Sequence, residues 1–383
     1  MAHVAYVHRG GEDAVVENET RLLRNAGHDV SGLVIPSLEF RSLPLGTQLS
    51  IATNMGDHAY GRRLISNAIE THSPDVVHFH NLYPLLGPGA IAEADRLGCA
   101  TVQTLHNYRL SCIAGTHFRD GRICEDCRPG GHGLGIVRGC YRQSCLESLA
   151  IAGGLSAQWA QFRVGLPNVA ICLTDFMRDR LTMAGVPPER LVVKPNSVDA
   201  STTSVPSSQR EGALVVGRLS PEKGISELAS RWPLDAPVLT IVGDGPLLKQ
   251  MRESAGPNVR LVGSVDAPTV RRYVSSCDVL VLPSVCFEGM PLVLLEALAE
   301  GTPVAAFATG GTGRVVAQIG PSLVAAPGDW DSLIAAATRA CNVDSGAWEA
   351  MSERAVELYE LHYSHARNLV QLEGIYSKAS GTP

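Results

Sequence analysis

Between His3 and Ala326 the chain repeats one unit: a short, almost continuously apolar run, then a segment with apolar residues at helical spacing. The first half carries such runs at 3–8, 28–35, 75–81, 100–107, 168–174 and 191–196, with helical patterns at 14–25, 61–72, 85–97, 146–165 and 175–184. The second half repeats the rhythm, with runs at 212–220, 238–246, 259–263, 279–283, 304–308 and 322–327 and helical patterns at 268–276, 330–341 and 347–377. Runs without polar alternation predict strands buried on both faces, so the expected fold is α/β with parallel sheets. At 383 residues there is material for two such sheets, and the Ser-rich stretch 200–211 is the natural linker.

Charge narrows the function. A net charge of −6 argues against a general nucleic-acid binder, which needs a basic surface. No apolar run approaches the length of a membrane span, and the chain enters its first strand without a secretion signal, so a cytoplasmic location is expected. Only four of the 32 basic residues are lysines, Lys194, Lys223, Lys249 and Lys378, which makes Lys223 conspicuous.

In such sheets ligands bind beyond the carboxyl ends of the strands. The stretch Phe287–Gly301 begins at such an end, and Gly-Met-Pro there opens a Leu-rich segment expected to be helical up to Gly301. A helix start offers unpaired N–H groups and partial positive charge to an anion, and Gly289 lets it approach. Glu288 and Glu296 flank the place, and carboxylates accept well from sugar hydroxyls. A diphosphate carrying hydroxyl-rich rings would fit; a tight turn followed by a solvated helix is the plainer alternative. Gly10 and Gly11 form a comparable turn after the first strand, and His80, Asn81, His106 and Asn107 lie at other strand ends. His78 and His80 share a strand face, but the sequence offers no third ligand, so no metal is expected there.

The rhythm breaks between Cys112 and Cys145, where five cysteines fall in a glycine-rich, charged insert. Such a segment lacks apolar content for its own core, and clustered cysteines in a cytosolic chain point to a metal. The expectation is a structural zinc held by Cys112, Cys124, Cys127 and Cys140, with Cys145 as an alternative to Cys140 and free thiols or an iron–sulfur cluster as other outcomes.

The second half contains Glu288-Gly289-x-Pro291, Glu296-Ala297 and Gly301-x-Pro303-Val304, preceded by GRLSPEKG at 217–224 and a GDGP turn at 243–246. This resembles family 4 of the nucleotide-sugar-dependent glycosyltransferases, whose signature is a Glu-x7-Glu pair. The resemblance implies a GT-B fold, two Rossmann-like domains facing each other. It divides the chain into an acceptor-binding domain at 1–198 with the insert 112–145, a nucleotide-sugar domain at 199–360, and a C-terminal helix at 361–383 packing back on the first domain. Some members carry a similar cysteine-bearing insert. PNSVD at 195–199 departs from the family's PNGVD at Ser197.

The implied reaction moves a sugar, with retention, from a nucleoside diphosphate sugar to an acceptor hydroxyl in polysaccharide, glycolipid or natural-product synthesis. Uridine is the favoured base, guanosine the second. No catalytic metal is required, because Arg218 and Lys223 would stabilise the departing diphosphate. Glu288 would hold the donor sugar, Glu296 the ribose, and His106 the sugar from the first half. Gly10, Gly11, Gly217, Gly289, Met290 and Leu292 would complete the donor site. A GT-B nucleotide-sugar 2-epimerase and a non-catalytic sugar-nucleotide-binding protein are the alternatives. Peripheral membrane contact fits the reading; a membrane span and nucleic acid do not.

Overall fold

A computed structural model of the chain describes residues 1–7, 10–127, 131–200 and 205–381. His8 of the first expected strand, residues 128–130 of the insert and 201–204 of the expected linker lie outside the described residues. The chain forms two compact units, the first built from Met1–Thr116, Glu125–Pro195 and Asn368–Pro383, the second from His117–Cys124 and Asn196–Arg367.

The first unit is organised on a six-stranded parallel sheet. Its strands are β1 (Ala2–Ala5), β2 (Leu33–Pro36), β3 (Val76–Phe79) and β4 (Ala100–Leu105). The short antiparallel hairpin β5 (Phe118–Arg119) and β6 (Arg122–Ile123) interrupts the chain before β7 (Val169–Cys172) and β8 (Leu191–Val193) complete the sheet in the order β2-β1-β3-β4-β7-β8. Val4, Phe79, Val102 and Ile171 are fully buried, as strands sandwiched between helices require. The C-terminal helix His365–Ser380 contributes Leu372 and Ile375 to a core shared with Leu23, Val102 and Val169.

The second unit repeats the plan with β9 (Ala213–Val216), β10 (Leu239–Val242), β11 (Val259–Gly263), β12 (Val279–Leu282), β13 (Val304–Phe307) and β14 (Val324–Ala325), ordered β11-β10-β9-β12-β13-β14. In both sheets the chain first runs outward to one edge and then returns to build the other. The reversal falls between β1 and β3 in the first unit and between β9 and β12 in the second. Such a switch point opens a crevice at the carboxyl ends of the strands, where ligands bind.

Several expected boundaries move. The helix expected to open at Gly-Met-Pro begins at Leu292 and ends at Ala299, with Pro291 as its cap. The glycine-rich stretch after the run 304–308, which reads from sequence as a turn, is the first turn of a helix, Gly310–Ile319. A Cβ on Gly313 would lie 2.6 Å from the Ala308 Cα, so this glycine serves the close approach of helix to strand. The pattern at 347–377 divides into two helices, Ser345–His362 and His365–Ser380, where Ser364 leaves the helix to bridge Val198. The strand expected at 28–35 shrinks to Leu33–Pro36, and a 3-10 turn (Ser37–Ser42) and a helix (Leu45–Thr53) follow unforeseen.

Candidate functional site

In the second unit, the loops leaving β9 and β12 carry most of the residues singled out in the sequence. After β9 the backbone passes Gly217 and exposed Arg218, then makes a 3-10 turn, Pro221–Lys223, rather than entering a helix at once. Gly224 closes that turn at φ +65°, and a Cβ there would sit 2.2 Å from the Pro283 carbonyl oxygen. The Val285 amide donates to the Glu222 carbonyl at 3.0 Å. The two loops are thereby locked together by backbone contacts, and helix Ile225–Arg231 follows.

The lock brings Lys223 Nζ to 2.5 Å from Glu288 Oε1, and the Ser284 hydroxyl donates to the same oxygen at 2.6 Å. Burial alone would push the Lys223 ammonium down, but the adjacent Glu288 charge overrides it and holds the group above its ordinary value. Burial likewise works against ionised Glu288, and Lys223 with the two hydrogen bonds keeps its carboxyl below the usual range. Both groups are charged at neutral pH. Asn196 donates to the Met290 carbonyl at 3.1 Å, which fixes the Gly289–Pro291 turn ahead of the helix. Glu296 lies in that helix, half-buried, and burial raises its carboxyl, with Glu300 adding to the rise and Arg271 opposing it.

The GDGP turn has a structural reason for its glycines. Gly243 has φ +147°, and a Cβ there would meet the Gly217 carbonyl oxygen at 1.9 Å, while one on Gly245 would meet the Leu219 carbonyl oxygen at 2.5 Å. The Leu219 amide donates to the Asp244 carbonyl at 2.9 Å. The glycines therefore let the β10 loop press against the backbone that carries Arg218.

In the first unit, helix Gly11–Asn25 starts directly after the Gly10 cap at the switch point. The Gly10 amide is not directed outward as expected; it donates to Asp13 Oδ2 at 2.8 Å, and Asp13 Oδ1 lies 2.9 Å from His3 Nε2. Glu12 accepts from the Tyr6 hydroxyl at 2.9 Å and from Asn107 Nδ2 at 3.1 Å, tying this turn to the end of β4. His106 is half-buried beside a small cavity that Glu12, Asn81, Asn107 and Arg109 also line. A larger cavity, about 550 Å³, lies under the opposite ends of the strands, against Met1, Val30, Ile69 and Tyr376. The chemistry argues for the smaller one, where the polar strand-end residues converge.

Beneath His106 runs a polar network that the sequence did not disclose. Lys194, fully buried, donates to Glu19 Oε1 at 2.6 Å and to Asn368 Oδ1 at 3.3 Å. His78 Nδ1 contacts the Tyr376 hydroxyl and its Nε2 the Thr104 hydroxyl, each at 2.8 Å. His80 Nδ1 lies 2.9 Å from His106 Nε2. Burial pushes His78 down to about 3, His80 well below its ordinary value and His106 below its own. Burial opposes charge on Glu19 too, but Lys194 beside it keeps the carboxyl low.

Among the described residues, the one group of three close ligand-type atoms is Glu19, His78 and His80, within 4.8 Å of one another. The third partner missing from the sequence reading is thus Glu19. Its charge is already met by Lys194, so a divalent ion would enter a buried place that holds an ammonium, at a large electrostatic cost. The expected cysteine set is not such a group. Cys124 ends the β5–β6 segment that belongs to the second unit, whereas Cys112, Cys127 and Cys140 belong to the first. Cys145 is exposed at the start of helix Cys145–Arg163.

No helix among the described residues is long and apolar enough to cross a membrane. Two family descriptions match the chain, "Glycosyltransferase Family 4" over residues 9–202 and "Glycosyl transferases group 1" over 210–342. The chain is 40% identical over 137 residues to the 2-deoxystreptamine N-acetyl-D-glucosaminyltransferase of Streptomyces fradiae, covering 33% of this chain and 31% of that protein. It is 27% identical over 355 residues to the phosphatidyl-myo-inositol mannosyltransferase of Mycolicibacterium smegmatis, covering 85% and 80%. The chain spans between 31% and 58% of the length of three curated relatives, the S. fradiae protein among them. Among solved structures, that of Anabaena HepE with UDP-glucose superposes with a TM-score of 0.66 at 16% identity, covering 98% of this chain and 100% of that one.

Proposed function

The chain belongs to glycosyltransferase family 4 and has the GT-B fold, and from that premise we propose that it transfers a sugar from a nucleoside diphosphate sugar to an acceptor hydroxyl, with retention of anomeric configuration. The observation that carries this reading is the Lys223–Glu288 pair at the β9/β12 switch point, with a helix N-terminus directly after it. A phosphate-seeking cation and a hydroxyl-seeking carboxylate held in contact suit a ligand in which diphosphate and sugar are joined.

In this reading Lys223 and Arg218 neutralise the diphosphate as it departs, aided by the amides at the start of helix Leu292–Ala299. Lys223 keeps N–H donors for phosphate while one is engaged by Glu288. The second Glu288 oxygen accepts from sugar hydroxyls, and Glu296 accepts from the ribose. Gly217, Gly289, Met290 and Leu292 supply the adjoining backbone. His106 and the Gly10–Gly11 turn serve the sugar and the acceptor. No step calls on a divalent metal.

A uridine diphosphate sugar is the favoured donor, supported by the HepE structure solved with UDP-glucose, and a guanosine one is second. The names of the relatives span an aminocyclitol acceptor and a phosphoinositide acceptor, so a hydroxyl-rich ring is the common acceptor chemistry proposed for this chain. The test is a thermal-unfolding panel of UDP-, GDP- and TDP-sugars in the presence of a chelator. A ligand that binds only the folded state raises the melting temperature by mass action. One nucleotide sugar stabilising the protein supports the reading, and no shift with any of them at millimolar concentration defeats it.

A further inference from the structure

The network under His106 contains two buried atoms with no hydrogen-bond partner, Glu19 Oε2 and His80 Nε2, and they face each other across 3.8 Å. Both side chains are almost wholly shielded from water. Leaving such atoms unpaired is costly, so their mutual orientation is an electrostatic choice. Lys194 keeps Glu19 ionised, so Oε2 presents negative charge to the His80 ring. A bare ring nitrogen turned towards it would set lone pair against lone pair, whereas an N–H is attracted. His80 therefore carries its proton on Nε2.

That choice propagates. Neutral imidazole has one N–H, so His80 Nδ1 is left as an acceptor. Its partner at 2.9 Å is His106 Nε2, which must supply the hydrogen. Burial lowers the pKa of both rings, so His106 is neutral as well, and its own Nδ1 is bare. The rings of His78, His80 and His106 stack in a row, with centroids 4.3 Å and 5.2 Å apart, which holds the chain of contacts in register.

We propose that Glu19, clamped by Lys194 and acting through His80, is a positioning residue that fixes His106 in its Nε2–H tautomer, so that His106 meets the ligand with a bare Nδ1 that accepts from a hydroxyl. The ligand half of this statement rests on the glycosyl-transfer reading above; the tautomer half does not. Glu19→Gln reverses the logic, because the Gln amide can donate to His80 Nε2, placing the His80 proton on Nδ1 and the His106 proton on Nδ1 in turn.

The test is ¹⁵N NMR of the histidine rings in the full chain, with the His106 signals identified by their loss in His106→Gln. The expected result is an Nε2–H, bare-Nδ1 pattern for His106 in the unaltered protein and a shift of population towards Nδ1–H in Glu19→Gln. An Nδ1–H pattern in the unaltered protein, or no change in Glu19→Gln, overturns the proposal. Should Glu19→Gln alone fail to fold with Lys194 unpaired, Glu19→Gln/Lys194→Met removes both charges and is read by the same criterion. Titration with UDP-glucose separates the two layers. His106 signals that respond to the sugar nucleotide but not to UDP support both; the expected tautomer with no response at saturation leaves the positioning role standing and removes the ligand role.

Discussion

The Lys223 ammonium lies 2.5 Å from the Glu288 carboxylate, and that oxygen also takes the Ser284 hydroxyl. The group assigned to phosphate and the group assigned to sugar hydroxyls are thus one ion pair. Lys223→Ala removes the cation and leaves the half-buried Glu288 carboxylate without its ammonium partner. The expected outcome is a loss of about 10- to 100-fold in affinity for a nucleotide sugar, from a charged hydrogen bond of about 1.5–3 kcal/mol. Calorimetric titration of the variant measures it; unchanged affinity would remove Lys223 from the phosphate site.

The same pair imposes a pH dependence with a definite sign. Glu288 titrates below its ordinary 4.5 in the folded chain, so its stabilisation is complete above that value and is lost as pH falls through the lower folded one. Lys223 titrates above its ordinary 10.5, so its share is complete below that value and is lost as pH rises through the higher folded one. The melting temperature of the unaltered protein should therefore fall more steeply than that of Glu288→Gln/Lys223→Met as the solution is acidified below the ordinary glutamate value. Parallel curves would mean the pair contributes nothing to folding.

Lys194 and Glu19 form the more deeply buried pair. Removing one partner strands a charge, and Lys194→Ala should cost about 3–5 kcal/mol in urea unfolding. Replacing both with apolar residues, as in Glu19→Leu/Lys194→Met, should cost clearly less. If the single and double variants were equally destabilised, the ion pair would not be what organises this part of the first unit.

Gly243→Ala tests whether the glycine of the β10 turn is needed for packing. Its Cβ would fall 1.9 Å from the Gly217 carbonyl oxygen, at a backbone angle that suits glycine. The turn must move, taking with it the backbone that holds Arg218. A destabilisation of about 1–3 kcal/mol is expected, together with weaker nucleotide binding. A variant with unaltered unfolding and unaltered affinity would show that the loop accommodates a side chain freely.

The second unit was readable in the sequence because its site is local. Lys223, Glu288 and the glycines lie in loops whose motif strings name them, and the strand-helix rhythm fixes which strand end each loop leaves. Boundaries were less readable where a residue serves two roles. Gly313 looked like a turn residue because packing of a helix on β13 also demands glycine, and Ser364 breaks a continuous helical pattern only because it bridges Val198.

The first unit hid its chemistry for a different reason. Lys194 and Glu19 are 175 residues apart in the chain, and only the topology of the parallel sheet brings them together. The scarcity of lysine was the available signal: it drew attention to Lys223 but applied equally to Lys194, which ends a buried strand-like run. Glu19, inside a helix of otherwise ordinary amphipathic pattern, offered none. The spacing of CxxC says nothing of the neighbouring hairpin, whose segment His117–Cys124 groups with the second unit.

The most direct measurement is a pair of calorimetric titrations, UDP and UDP-glucose, into the unaltered protein and Glu288→Gln, all with a chelator present. The account predicts that the unaltered protein binds both without metal and UDP-glucose more tightly, and that Glu288→Gln still binds UDP but loses the increment due to the sugar. Equal binding of UDP-glucose by the two proteins, or no binding of either ligand by the unaltered one, would contradict it.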